Sequence, residues 1–292
     1  MLLRQALDAF LLQLDADGRS PHTRGQYARH VGALDRWLAA AGRPRDLAGI
    51  DHEALALFLT SDAARCRPDG TLKKATSTNG LRTSLRAFWS YCHLAGLVTV
   101  NPGRLIRRAR CAPPPPRALS DDEVRRLLAA VDAGDGEAAR RDAALVRLLL
   151  GTGLRLSSAL ALTTDDVDLA RGELQVRKTK GDAPVILPLS HAAVRDLRGY
   201  LRGRDGGYLF PGDAGQLTRR QAGRRIEEAA ERAGLHGRAS AHVLRHVFAC
   251  RLLKATGGNL PLVQQALAHR SIASTTIYAR TEHGALRTAL RG

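Results

Sequence analysis

The chain has 292 residues, 44% of them hydrophobic, with 45 lysines and arginines against 28 aspartates and glutamates, a formal net charge of +17. The length suits two domains with separate cores, and no uncharged apolar run of about 18 residues marks a membrane span. A field this positive attracts a polyanion, nucleic acid first, and the excess is spread, with 17 basic and 9 acidic residues in 1–110 and 28 and 19 in the remainder.

Met1-Leu2-Leu3-Arg4-Gln5, soon followed by Asp8 and Asp15, lacks the pattern of a secretory signal, so a cytoplasmic location is expected. Residues 2–16 read as a short helix carrying Leu2, Leu3, Phe10, Leu11 and Leu12. Ser20-Pro21 opens a second, in which Tyr27, Val31, Leu34 and Leu38 recur every three or four residues with Trp37 beside them. Asp51 is positioned to cap a third, with Glu53 in its first turn and Leu55, Phe58 and Leu59 following. Arg65 to Gly70 reads as a loop. Ser77 to Leu97 reads as a longer helix with Leu81, Leu85, Phe88, Trp89, Cys92 and Leu94, stopped by Gly96 and Pro102. No strand stands out in this half. Residues 103–119 read as a linker, with Arg104, Arg107, Arg108 and Arg110 and the stiff run Pro113 to Pro116. Such a tether could lie along a phosphate backbone or simply be solvated.

Ser120-Asp121-Asp122-Glu123 is a capping box. Val124, Leu127, Leu128 and Val131 follow it at helical spacing. Ala143 to Leu150 reads as an apolar helix ending at Gly151-Thr152-Gly153, a turn that needs small residues. Leu154 to Leu162 reads as helical again. Then the period becomes two: Glu173 to Thr179 and Ala183 to Leu189 read as strands joined by Lys180-Gly181-Asp182. Helices follow, with a glycine-rich loop at Gly206-Gly207. Cys66, Cys92, Cys111 and Cys250 form neither a CxxC pair nor zinc-finger spacing with histidine, so reduced thiols and no structural metal are expected.

The second half also carries side chains suited to phosphoryl transfer. His242 and Arg245 share a face of a helix whose other residues, Val243, Leu244, Val247 and Phe248, are apolar. Tyr278 stands nine residues after His269. Arg155 follows the Gly-Thr-Gly turn, and Lys180 sits at the hairpin tip. Arginine forks match the equatorial oxygens of a phosphoryl group. A lysine or histidine can protonate an oxygen leaving group, and a tyrosine oxygen can attack covalently. Singly, each has an ordinary explanation as a structural histidine or a packed tyrosine. Their joint occurrence carries the weight.

In order, these residues lie in motifs that resemble the tyrosine recombinase, or phage integrase, family and its Xer-like members. Gly151-Thr152-Gly153-Leu154-Arg155-Leu156-Ser157 resembles the box of the first arginine. Thr179-Lys180-Gly181 with Val185-Ile186-Leu187-Pro188-Leu189 resembles the lysine hairpin. His242-Val243-Leu244-Arg245-His246 resembles the HxLRH box, and His269-Arg270-Ser271 through Thr275-Thr276-Ile277-Tyr278 the final box. The N-terminal half, chiefly Leu81 through Trp89 to Asn101-Pro102, is similar to the family's core-binding domain. Two positions depart: Ser158 stands where an acid is usual, and Ala268 where glycine is usual.

The resemblance implies a mainly α fold, a helical SAM-like core-binding domain followed by a mixed α/β catalytic domain with a small antiparallel sheet. The division expected is 1–106, a basic Pro-rich linker over 107–119, and 120–292, the two domains clamping duplex DNA. It implies that Tyr278 attacks the scissile phosphate to give a 3′-phosphotyrosyl link, while Arg155 and Arg245 hold the non-bridging oxygens. Lys180 would protonate the departing 5′-oxygen, His242 assist at the tyrosine, and His269 bond to the phosphate. Arg82, Arg86, Arg107, Arg108, Arg177 and Lys178 are the expected DNA contacts. The covalent link preserves the phosphodiester energy, so neither cofactor nor metal is expected. The partners implied are duplex DNA with paired recombination sites and a tetramer on it, homomeric or shared with a related recombinase. The tail from Thr281 to Gly292 would dock on a neighbour or cover its own core. Chromosome partition and the integration or excision of a mobile element both fit. The rivals are a type IB topoisomerase and a non-enzymatic DNA-binding architectural protein.

Overall fold

A serine cap and an aspartate cap start two of the N-terminal helices where the sequence places them. A computed structural model describes residues 1–109, 111, 118–177, 185–213 and 215–267. The chain divides into two compact units, Met1–Pro114 and Pro115–Gly292. In the first, α1 (Leu3–Ala16) is followed by α2 (Pro21–Ala40), whose Ser20 hydroxyl accepts from the Thr23 amide at 3.3 Å with proline in the first turn. Helix α3 (His52–Thr60) is capped by Asp51, which accepts from the Ala54 amide at 2.8 Å. A single turn, α4 (Asp62–Arg65), precedes the expected loop, and α5 (Ala75–Leu94) ends before Gly96, which adopts φ 70°.

The periodic residues of these helices meet in one core. Phe10 of α1 packs edge-on against Tyr27 of α2 and Phe88 of α5, with ring centroids 5.2 and 5.8 Å apart. Val31, Leu34, Leu38, Leu55, Phe58, Leu85 and Trp89 are buried around them. Residues 103–109, whose composition reads as tether, are docked on this unit instead. Ile106 is buried in the core, and Gly103 lies so close to Trp89 that an added Cβ would stand 2.9 Å from the Trp89 Cβ. The Asn79 amide donates to Ala109 O at 2.9 Å and accepts from Ala109 N at 2.7 Å. The Pro113–Pro116 run lies outside the described residues.

The second unit opens on α6 (Asp121–Asp132), where Ser120 and Glu123 form the reciprocal capping box. Its central element is α7 (Gly136–Thr152), longer than the apolar stretch that announces it and packed against α6 and four later helices. Gly153 ends α7 in a left-handed conformation (φ 62°), which turns the chain away. The continuous helix expected over 154–162 is therefore reduced to α8 (Leu156–Leu160), with Arg155 extended in front of it. Three short strands unmarked by any period accompany the expected hairpin. The sheet runs β1 (Val167–Asp168), β2 (Glu173–Val176) and β3 (Val185–Pro188), antiparallel and in that order, with Val176 opposite Val185. The pair β4 (Pro211–Gly212) and β5 (Gly215–Gln216) makes a second ribbon. Helices α9 (His191–Leu201), α10 (Arg219–Arg232), α11 (Ala241–Ala255) and α12 (Leu260–Ala266) complete the described part. A mainly helical first unit and a mixed α/β second unit with small antiparallel sheets agree with the expected fold class. Among the described residues no helix is long and apolar enough to cross a membrane.

Candidate active site

Two arginines from distant parts of the second unit come to one place. Arg245 sits on α11, which packs along α7, and it is only 6% exposed. A buried guanidinium needs acceptors. Arg245 Nη1 donates to Gly153 O at 2.5 Å and Nη2 to Leu267 O at 2.7 Å. The two carbonyls fix the plane of the fork and tie the end of α7, α11 and the residue after α12 together. Gly153 makes this possible: its left-handed turn presents the carbonyl, and its bare Cα leaves room for Phe248 of α11, whose Cδ1 would lie 2.3 Å from an added Cβ.

Arg155, half-buried in the extended step after Gly153, lines a small cavity together with Arg245, Ser158, Val176, Val185 and Leu267. Two positive guanidinium groups thus border one hollow whose remaining wall is apolar apart from Ser158. Nearby charge is strengthened in such surroundings. Ser158, at the position where the family usually has an acid, is itself buried in this wall. His242, one turn before Arg245 on the same helix, is exposed. His246 is buried, and burial, with His242 adding to it, pushes its pKa below the ordinary 6.5, so it is neutral at pH 7. Its ring nitrogens lie 3.9 and 4.0 Å from Cys250 Sγ, a weak thiol contact.

Two family models account for both units, the "Phage integrase, N-terminal SAM-like domain" over residues 7–96 and the "Phage integrase family" over residues 117–284. The chain belongs to the phage integrase family of tyrosine recombinases. This recombinase is 33% identical to tyrosine recombinase XerD of Ralstonia nicotianae, over 98% of this chain and 91% of that one. It is 32% identical to tyrosine recombinase XerC of Xanthomonas campestris, over 95% and 84%. The recombinase is thus Xer-like and an enzyme of the tyrosine type. Its fold is similar to that of the XerH site-specific recombinase bound to palindromic difH substrate, with a TM-score of 0.74 at 22% identity over 91% of this chain and 78% of that one. It is also similar to a lambda integrase (75–356) dimer bound to a COC′ core site, with a TM-score of 0.72 at 21% identity over 93% and 96%.

Of the six catalytic candidates, the recombinase brings Arg155 and Arg245 to one cavity and places His242 one turn from Arg245. Lys180, His269 and Tyr278 lie outside the described residues, as do Lys178, Ala268 and the tail from Thr281 to Gly292. The segments leading to them start at the same hollow: Val176 and Val185, which pair at the base of the lysine hairpin, and Leu267 all line it. Among the expected DNA contacts, Arg82 and Arg86 lie one turn apart on α5, and Arg107 and Arg108 are exposed on the docked segment. None of these four forms an ion pair among the described residues. Arg177 is engaged, with Nε 2.5 Å from Asp166 Oδ1. Asp166, the partner of Arg177 and buried at 5% exposure, is a residue that pattern reading passes over. It stands in the acidic run Asp165-Asp166-Val167-Asp168, where nothing local distinguishes a buried carboxylate from its solvated neighbours.

Proposed function

We propose that this recombinase is site-specific, cleaving and rejoining duplex DNA at paired sites with Tyr278 as nucleophile. The phenolic oxygen attacks the scissile phosphorus while His242 assists removal of its proton. The bond from phosphorus to the 5′-oxygen breaks, and Lys180 gives that oxygen a proton. The 3′-phosphotyrosyl ester that results keeps the phosphodiester energy for rejoining, by attack of a 5′-hydroxyl from the exchanged strand. Arg155 and Arg245 hold the non-bridging oxygens as the phosphorus becomes pentacovalent, and His269 adds a hydrogen bond. Loss of one such donor typically costs about 10²–10³-fold in rate. The observation that supports this reading is the convergence of Arg155 and Arg245 on one cavity, with the Arg245 fork held in plane by two backbone carbonyls. The half-buried Arg82 and the exposed Arg86, Arg107 and Arg108, with Lys178, are proposed DNA contacts. The active assembly is proposed to be a tetramer on two duplexes, with chromosome partition as its role and the cytoplasm as its setting.

Trapping on a nicked duplex that carries the recombination site tests the proposal. The wild type should accumulate a covalent adduct at a 3′ phosphate, located on Tyr278 by mass spectrometry of the digest. Tyr278→Phe, which removes one oxygen and keeps the ring, should melt and bind DNA as the wild type does and form no adduct. An adduct on another tyrosine, or strand exchange by the Phe variant, would sink the mechanism. Relaxation of supercoiled DNA by a monomer, without paired sites or recombinant products, would move the protein to the topoisomerases.

A further inference from the structure

The residue that follows β2 is held by a buried acid. Arg177 comes one position after the last ladder pair, Val176 with Val185, and three positions before Lys180. Its Nε lies 2.5 Å from Asp166 Oδ1, with the Arg177 side chain 58% exposed and that of Asp166 only 5%. A buried carboxylate therefore grips the inner edge of a guanidinium that opens to solvent. Asp166 is itself fixed. Its Oδ2 accepts from both the amide and the hydroxyl of Thr163, each at 2.9 Å, closing the turn that leads into β1. Its Oδ1 is wholly buried and receives no aligned hydrogen bond, so Arg177 compensates it by charge.

Stability alone gives little reason for this arrangement. The turn at Thr163 needs one acceptor oxygen, which an uncharged asparagine would also supply. A half-exposed ion pair contributes little to folding, whereas a buried charge is costly to keep. What the second oxygen does is hold Arg177. The register of β1 with β2, Val167 opposite Leu174, places Asp166 level with Gln175 and hence beside the strand end from which residues 178–184 depart. The pair clasps the sheet one step beyond its last hydrogen-bonded rung.

We propose that Asp166 is a positioning residue for the cleavage reaction, acting through Arg177 to fix the start of the hairpin that carries Lys180. The proposal rests on the reading of Lys180 as the acid that protonates the leaving 5′-oxygen, and the test separates the two. Full-length Asp166→Asn, Arg177→Gln, Arg177→Lys and Lys180→Ala are compared in single-turnover cleavage of two duplexes. One has an ordinary scissile phosphate, and the other has sulfur in place of the bridging 5′-oxygen, which departs without needing a proton.

Asp166→Asn and Arg177→Gln should cleave the ordinary duplex slower by on the order of tenfold or more, within the range lost when a reacting group is misplaced. Both should approach the wild-type rate on the sulfur duplex, and Arg177→Lys, which keeps the charge, should recover part of the loss on the ordinary one. Equal losses on both duplexes would overturn the proposal and assign a structural or DNA-binding role. If the salt slope of binding also falls by about one in Arg177→Gln, that role is a phosphate contact. Unchanged cleavage in both variants would overturn it too. If sulfur rescues Lys180→Ala and not the other two, the positioning role fails and the lysine assignment stands. If Lys180→Ala itself is not rescued, the lysine assignment fails and takes the positioning role with it.

Discussion

Replacement of Gly153 by alanine should damage the second unit at the point where the two arginines meet. An alanine there must hold φ near 62°, a left-handed conformation that costs a residue with a Cβ roughly 1–2 kcal/mol. Its methyl carbon would fall 2.3 Å from Phe248 Cδ1 and 2.9 Å from Cε1 and Cγ, where carbon atoms pack at about 3.5–4.0 Å. The ring must move by more than about 1 Å against α11 and its neighbours, an overpacking cost of roughly 1–3 kcal/mol. The total, roughly 2–5 kcal/mol, is a large part of the stability of an ordinary domain. Urea unfolding reads it in two channels. Both tryptophans, Trp37 and Trp89, lie in the first unit, so their fluorescence follows that unit alone, while far-ultraviolet circular dichroism follows both. Gly153→Ala should leave the fluorescence midpoint in place and lower the midpoint of the second unit. In a Phe248→Ala background the steric part disappears, so the same substitution should cost about 1–3 kcal/mol less. An unshifted second-unit midpoint, or the same loss with and without the Phe248 ring, would refute this account of the glycine.

Two further expectations follow from groups described above. Asn79→Ala strips Ala109 of both amide partners, a loss of roughly 1–3 kcal/mol. Limited trypsin digestion should then cut faster at Arg104, Arg107 and Arg108, and an unchanged cleavage rate would contradict the docking of that segment. In the capping box, the Ser120 amide foremost, and then Arg238, holds the Glu123 carboxyl below its ordinary 4.5 against the opposing effect of burial. With the folded value below the unfolded one, the stabilisation is complete above the unfolded value of 4.5 and is lost as pH falls through the folded one. Glu123→Gln should therefore flatten the fall in second-unit melting temperature below about pH 4.5, and an acid limb as steep as that of the wild type would count against it.

Much of this was legible because the decisive signals are local. Ser120 with Glu123, Asp51 ahead of its helix, and the stripe of Val31, Leu34 and Leu38 each state their structure within a few residues. The ordered motifs around Arg155 and Arg245 likewise announce the chemistry. What escaped depends on partners far along the chain. The docking of residues 103–109 is carried by Asn79, 30 positions before Ala109, and by one isoleucine among arginines. The break of the expected helix at 154 follows from the fit of Gly153 to Phe248, two residues without local relation. Strands β1, β4 and β5 are two residues long, too short for any period to form.

The bonds of Arg245 also bear on what an incomplete chain can do. Its two carbonyl partners lie 92 residues earlier and 22 residues later. A nascent polypeptide has no second clamp for this fork until Leu267 has been synthesised and folded back onto α11. A nonsense codon or proteolytic cut between Arg245 and Leu267 leaves the whole first unit, with Arg82, Arg86, Arg107 and Arg108, but a guanidinium without its later carbonyl. Truncation products of this gene should thus compete for the same DNA as the intact protein without completing its reaction, acting as dominant inhibitors in a cell that makes both.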